Sequence, residues 1–239
     1  MLAWPQFQTM QKGFAKFQAN RNAREDVSAV GSTRYRAILL FGAPGTGKGT
    51  QGRLLGAMPE FFHCACGDVF RSLDIKSPLG RQFLDYSTRG QLVPDALTVK
   101  LWQKRLADHV AGSDFRPDRQ FLVLDGIPRN NIQARMTEEF VDVSLVLHLH
   151  CTDLSVLEQR LGRRAFVDKR PDDHSVEVVR RRLAVFETES LGVLDHYPRS
   201  IIRTVDASAP PGEVLAAVLG HILEVNMVSP LQGGGSRQE

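Results

Sequence analysis

The segment FGAPGTGKGTQ, residues 41–51, carries the densest chemistry in the chain. Gly42, Gly45, Gly47 and Lys48 fit the spacing G-x-x-x-x-G-K. Glycines so placed let the backbone turn its N–H groups inward around phosphate oxygens, and the lysine reaches the outer phosphates. A hydroxyl residue ordinarily follows the lysine as a magnesium ligand. Here Gly49 stands there, and the hydroxyl comes one residue later at Thr50. A second segment, LDGIPRNNIQ at 124–133, opens with an acid and a glycine, turns at Pro128, and presents Arg129 and Gln133 four residues apart. A guanidinium stays charged and grips two anion oxygens at once, while a carboxamide offers a donor beside an acceptor. A third group is a run of arginines. Arg160 and Arg164 are four apart and share a helix face, Arg170 follows, and Arg180, Arg181 and Arg182 are consecutive. The chemistry open to such a set is phosphoryl transfer, which needs crowded phosphate oxygens neutralised more than it needs acid–base groups.

These residues need a scaffold, and the pattern supplies one. YRAILLF (35–41) is a short apolar run ending at the glycine-rich loop, which predicts a buried strand. EFFHCAC, RQFLVLD, VSLVLHLHC and SIIRTVD predict four more. Segments such as VEVVRRRLAVFETESLGVLDHY and GEVLAAVLGHILEV carry helical periodicity. Strands alternating with helices predict an α/β fold, a parallel sheet of about five strands with helices on both faces and right-handed crossovers. Composition agrees, with 42% hydrophobic and 24% charged residues in 239. A net charge of +3 is too small to indicate a nucleic-acid partner, and no apolar run is long enough for a membrane span. Three cysteines, Cys64, Cys66 and Cys151, without a C-x2-C pair, argue against both a disulfide framework and a zinc site. They suit a reducing compartment. His148 and His150 read as structural or edge residues.

The G-x-P-G-x-G-K-G-T-Q form of the loop resembles the nucleoside monophosphate kinases, adenylate kinase above all. Four further stretches resemble adenylate kinase motifs in the right order. CGDVFR (66–71) is similar to T-G-D-x-x-R, and RGQLVPD (89–95) to G-x-L-V-x-D. LDGIPRNNIQA is similar to L-D-G-F-P-R-x-x-x-Q-A, and RLGRRAFVDKRPDD followed by RRRL to the lid and its arginines. The matches run from about Ile38 to Pro198. The resemblance implies a P-loop fold and the reaction ATP + AMP = 2 ADP with Mg2+. It implies that ATP is bound by Gly45, Thr46, Gly47, Lys48, Gly49, Thr50, Arg160 and Arg164. For AMP it implies Cys66, Arg71, Gln91, Leu92, Val93, Gly126, Ile127, Pro128, Arg129, Gln133, Arg170 and Arg182. Lys48, Arg129, Arg160, Arg164, Arg170 and Arg182 would be catalytic, and Asp125 would order magnesium through water. The segment before Arg170 is too short for a zinc-bearing lid, so the short-lid form without zinc is implied, together with a monomer.

Several positions depart from the pattern. Ala65–Cys66 stand where Ser-Thr is usual, which removes a hydroxyl from the acceptor site, and Ile127 replaces an aromatic. Gln133 is the adenine-type residue, but Asn130 is that of pyrimidine-specific relatives, and a flipped amide would suit uracil as well as adenine. UMP/CMP or broad specificity is therefore an alternative, and a non-catalytic nucleotide-binding regulator is another. Arg182, rather than Arg181, is expected in the site because Leu183 follows it as in the family. The expected organisation is an N-terminal extension at 1–34, helical or partly disordered, a kinase domain at 35–228 and a disordered tail at 229–239. Within the domain, an acceptor-binding insert is expected at about 66–95 and a lid at about 164–173. The expected compartment is the cytoplasm, or an organelle if the extension is a transit peptide.

Overall fold

A computed structural model describes residues 34–74, 76–167 and 175–228. The extension up to residue 33, the lid segment holding Arg170 and the tail lie outside the described residues. The chain begins with β1 (Tyr35–Phe41), α1 (Lys48–Gly56), β2 (Phe61–Ala65), α2 (Cys66–Arg71), α3 (Pro78–Thr88) and α4 (Asp95–Ala111). It continues with β3 (Phe121–Asp125), α5 (Asn131–Thr137), β4 (Val141–His150), α6 (Leu154–Val167), α7 (Val176–Val185), β5 (Ile202–Asp206) and α8 (Pro211–Val228). All five strands are parallel, in the order β2-β3-β1-β4-β5. A parallel sheet covered on both faces has apolar side chains on both, so its strands are continuous apolar runs. Ala37 to Phe41 and Leu122 to Leu124 are accordingly all buried.

On one face Leu39, Phe41, Leu122 and Leu124 join Val99, Trp102 and Leu106 of α4 in the main core. Trp102 is fully buried and its indole N–H points at the Cys64 carbonyl, 3.5 Å away. On the other face α1 packs over β2 and β3. A Cβ at Gly52 would lie 2.2 Å from His63 Nε2, and one at Gly56 would lie 2.8 Å from His63 Cβ. The two glycines, one helical turn apart, make the slot in which His63 sits.

The register decides where chemistry gathers. Leu40 of β1 lies beside Asp125 at the end of β3. The loop leaving β1 and the carboxylate ending β3 therefore open at the same carboxyl edge, where α/β sheets hold their ligands. The predicted second strand is one residue shorter at its end, since Cys66 begins α2. The long helical pattern after residue 175 is also broken up. After α7 a π-helical turn (Phe186–Ser190) and a 3-10 turn (Leu191–His196) follow. The wide turn shifts the helical phase so that Phe186 packs on the core while Ser190 and Val193 are buried.

Residues 32–215 form one compact unit. From Ala216 onward α8 belongs to a second, in which His221 and Glu224 pair at 3.2 Å. Among the described residues no helix is long and apolar enough to cross a membrane. Trp102→Ala should remove about 3–5 kcal/mol of stability, the cost of emptying a buried aromatic site, as read by urea unfolding.

Candidate active site

The glycine-rich loop has the backbone shape that a phosphate cradle requires. Gly45 and Gly47 have φ of 90° and 93°, in the left-handed region that other residues avoid. A side chain at Gly42 would run into the Leu149 carbonyl oxygen at 2.3 Å. Gly47 starts α1, its carbonyl accepting from the Thr50 and Gln51 N–H groups. Lys48 folds back over the loop, its Nζ donating to the Gly42 and Ala43 carbonyls at 2.6 and 2.9 Å. Thr46 is buried and its hydroxyl donates to Ala43 at 2.8 Å. Burial brings the Lys48 amine down to about 8; nearby Asp125 opposes this, and Arg164, Arg129 and Arg182 add to it.

Asp125 closes the floor of the site. Its Oδ2 lies 3.3 Å from His63 Nε2, and both side chains are nearly buried. Burial alone would raise its carboxyl. The His63 hydrogen bond and the charges of Lys48, His63 and Arg129 outweigh burial, so the group titrates below the ordinary carboxylate range. A Cβ on Gly49 would lie 3.5 Å from the same Oδ2, which places the carboxylate against the start of α1. One ionised carboxylate and the Thr50 hydroxyl on the same cleft fit magnesium, which takes few protein ligands and is held mainly by substrate phosphates.

On the acceptor side, Arg129 Nε donates to the Gly126 carbonyl at 2.9 Å, which aims the guanidinium across the turn. Gln133 is fully buried from bulk solvent yet borders the cleft. Its Oε1 accepts from the Arg129 backbone N–H at 2.9 Å, and its Nε2 donates to Asp95 Oδ1 at 2.8 Å. Asn130, the residue resembling pyrimidine-specific relatives, is turned to other work. Its Oδ1 caps α5 by accepting from Gln133 N–H, and its Nδ2 donates to Asp95 Oδ1, both at 2.9 Å. Arg71 lies over Gly67 and donates to Asp68. Gln91, Leu92 and Val93 line the cleft between α3 and α4, as do Gly126 and Pro128.

Two predicted contact residues are not brought to the lining. Cys66 and Ile127 are both fully buried and belong to the core cluster beneath it. Both are apolar, and burial keeps the Cys66 thiol neutral, pushed up to about 11. All three cysteines are free and buried.

The remaining arginines come from α6 and α7. Arg160 donates to the Ala207, Ser208 and Ala209 carbonyls and so ties α6 to the segment after β5. The consecutive arginines diverge because a helix turns about 100° per residue. Arg180 pairs with Glu158 at 3.1 Å and Arg181 reaches the Arg89 carbonyl at 3.4 Å, both exposed, whereas Arg182 lines the cleft. Arg170 lies outside the described residues. His63, Asp95, Arg53 and Arg163 were not among the residues expected in the site. Arg163 had a signal, being three residues after Arg160 and so on the same face. Asp95 ended a motif without being given a task. His63 carried no signal, since its slot is made by glycines of another element.

Together these groups surround a cleft of about 610 Å³ at the carboxyl edge of the sheet. Seven arginines and Lys48 line it, and Asp125 is the one carboxylate among the described lining residues. A parallel sheet whose first strand runs into a phosphate loop at a helix start defines a P-loop nucleotide-binding protein. The family model described as adenylate kinase matches residues 40–202. The adenylate kinase of a Cyanothece species is 36% identical over 194 residues, covering 78% of this chain and 94% of its own. That of Thermobifida fusca is 34% identical over 184 residues, with 74% and 93% covered. That of Thermosynechococcus vestitus is 33% identical over 204 residues, with 80% and 99% covered. The chain belongs to the adenylate kinase family.

Lys48 yields a pH test. Phosphate binding stabilises the charged amine and raises its pKa from about 8, so the complex takes up a proton near that pH. Titration calorimetry with ATP at pH 8 in buffers of different ionisation enthalpy should show net proton uptake, and affinity should fall as pH rises further. Lys48→Met should abolish most of the uptake.

Proposed function

We propose that the protein catalyses reversible transfer of the terminal phosphoryl group of ATP to AMP. The supporting observation is the charge of the cleft, where seven arginines and a lysine face one carboxylate. Only substrates bringing many negative charges, such as two nucleotides meeting phosphate to phosphate, would match it. The phosphate loop and Lys48 would hold the donor phosphates, with Arg160 and Arg164 on the donor side. Arg71 and Arg129 would grip the acceptor phosphate, with Gln91, Leu92, Val93, Gly126 and Gln133 around the base. Arg129, Arg182 and Arg170 would converge on the transferring group. Their fixed charges stabilise a transition state whose charge is spread over phosphate oxygens, and no side chain need take a proton. Magnesium would supply further charge neutralisation between the phosphates, with Asp125 and Thr50 toward it.

Residues of about 66–95 would form the acceptor-binding insert and about 164–173 the lid, whose closure keeps water from the donor. Lid closure in adenylate kinase is a standard example of such gating, which supports this part of the reading. The buried thiols of Cys64, Cys66 and Cys151 support residence in a reducing compartment, the cytoplasm. A monomer is the family expectation carried with this reading.

Incubation with ATP, AMP and magnesium should yield ADP, and a panel of AMP, UMP, CMP and GMP at matched concentration should favour AMP. Bound ATP with no ADP formed would overturn the reading in favour of a regulator. Arg129→Ala should lower turnover by about 10³-fold or more while the fold stays intact by circular dichroism. Near-full activity in that variant would remove Arg129 from the transferring region.

A further inference from the structure

A carboxamide is ambiguous as a base reader because turning it over exchanges donor and acceptor. In this protein the amide of Gln133 is held at both ends. Its Oε1 accepts from the Arg129 N–H and its Nε2 donates to Asp95 Oδ1. Asp95 is held in turn, since the same Oδ1 accepts from Asn130 Nδ2, and Asn130 Oδ1 is fixed by the Gln133 N–H. Asp95, Asn130 and Gln133 close a ring of hydrogen bonds linking the start of α4 to the start of α5, and the Arg129 N–H holds the ring from outside. An inverted amide would set its N–H groups against the Arg129 N–H and its oxygen against the Asp95 carboxylate. Gln133 is itself fully buried, so each clash would leave a polar group of its amide poorly satisfied.

We infer that Asp95 is a positioning residue for acceptor choice, orienting Gln133 so that the site accepts amino-substituted bases and rejects their oxo counterparts. The inference rests on the reading of Gln133 as the residue that meets the acceptor base. Held this way, Gln133 retains one Nε2–H and one Oε1 lone pair for a ligand. A 6-aminopurine donates from its amino group to Oε1 and accepts at N1 from Nε2–H. A 6-oxopurine presents the reverse order, an acceptor followed by an N1–H donor, and would need the inverted amide. The same distinction separates 4-amino from 4-oxo pyrimidines. Asn130, bonded to both Asp95 and Gln133, thus serves discrimination against the oxo base.

AMP and IMP are the sharpest probes, since they differ only at that edge. The wild-type kcat/KM ratio of AMP to IMP should be about 10²-fold or more. Asp95→Leu should lower that ratio by about tenfold or more and raise KM for AMP, with KM for ATP unchanged within about twofold. Asp95→Asn keeps an oxygen able to accept both amide N–H groups and should retain most of the discrimination. If the leucine variant does not fold, Asp95→Ser carries the same expectation, as its hydroxyl suits a helix start but is too short to reach Gln133. Gln133→Leu separates the two levels of the reading. Collapse of the ratio in Gln133→Leu but not in Asp95→Leu or Asp95→Ser overturns the positioning role alone. An unchanged ratio in Gln133→Leu overturns the base-reading role and the inference with it. A loss of AMP and ATP affinity together, at constant ratio, would show Asp95 to be merely structural.

Discussion

The structure is organised around positive charge gathered on one cleft. Seven arginines and Lys48 line one cleft, and Asp125 is the only acid among the described residues that line it. Such crowding opposes folding, because like charges in a partly dry cleft repel. The apolar sheet and its helices must hold these groups in place regardless. The residues nearest the centre show the tension. The Lys48 amine is depressed by burial and by three arginines, while Asp125 is kept ionised by the same surroundings. A cleft so charged is completed by polyanions, and the free energy released when they bind is available for catalysis.

Backbone carbonyls moderate this repulsion. Lys48 rests on Gly42 and Ala43, Arg129 on Gly126, and Arg160 on Ala207 to Ala209. Each contact gives a cation a partial negative charge without giving it a counter-ion. A carboxylate in any of these places would compete with a phosphate. A carbonyl orients the side chain and leaves most of its charge for the ligand.

His63 and Asp95 perform supporting tasks of a different kind. His63 occupies a slot shaped by Gly52 and Gly56 and bonds Asp125 from behind. Asp95 reaches from α4 to two amides of the neighbouring turn. Each joins elements distant in sequence, and each fixes the orientation of a group facing the cleft. They give the site its geometry more than its charge.

Much of this was legible in the chain itself. Five apolar runs, each bounded by turn or helix signals, identified the strands, because burial on both faces of a parallel sheet leaves a local trace. The spacing of Gly42, Gly45, Gly47 and Lys48 identified the phosphate loop, because a backbone cradle is built from consecutive residues. Arg129 and Gln133 were visible for the same reason. What tertiary structure decided was everything that depends on direction or on a distant partner. The choice of Arg182 over Arg181, already favoured by the Leu183 that follows it as in the family, is made physically by the phase of α7. Cys66 and Ile127 sit under the lining rather than on it, because apolar side chains turn into the core beside them. The Gln133 amide is held between the Arg129 N–H and Asp95, the latter thirty-eight residues earlier in the chain. Residue types along the chain determined which chemistry was available, and packing determined which atoms were turned to face it.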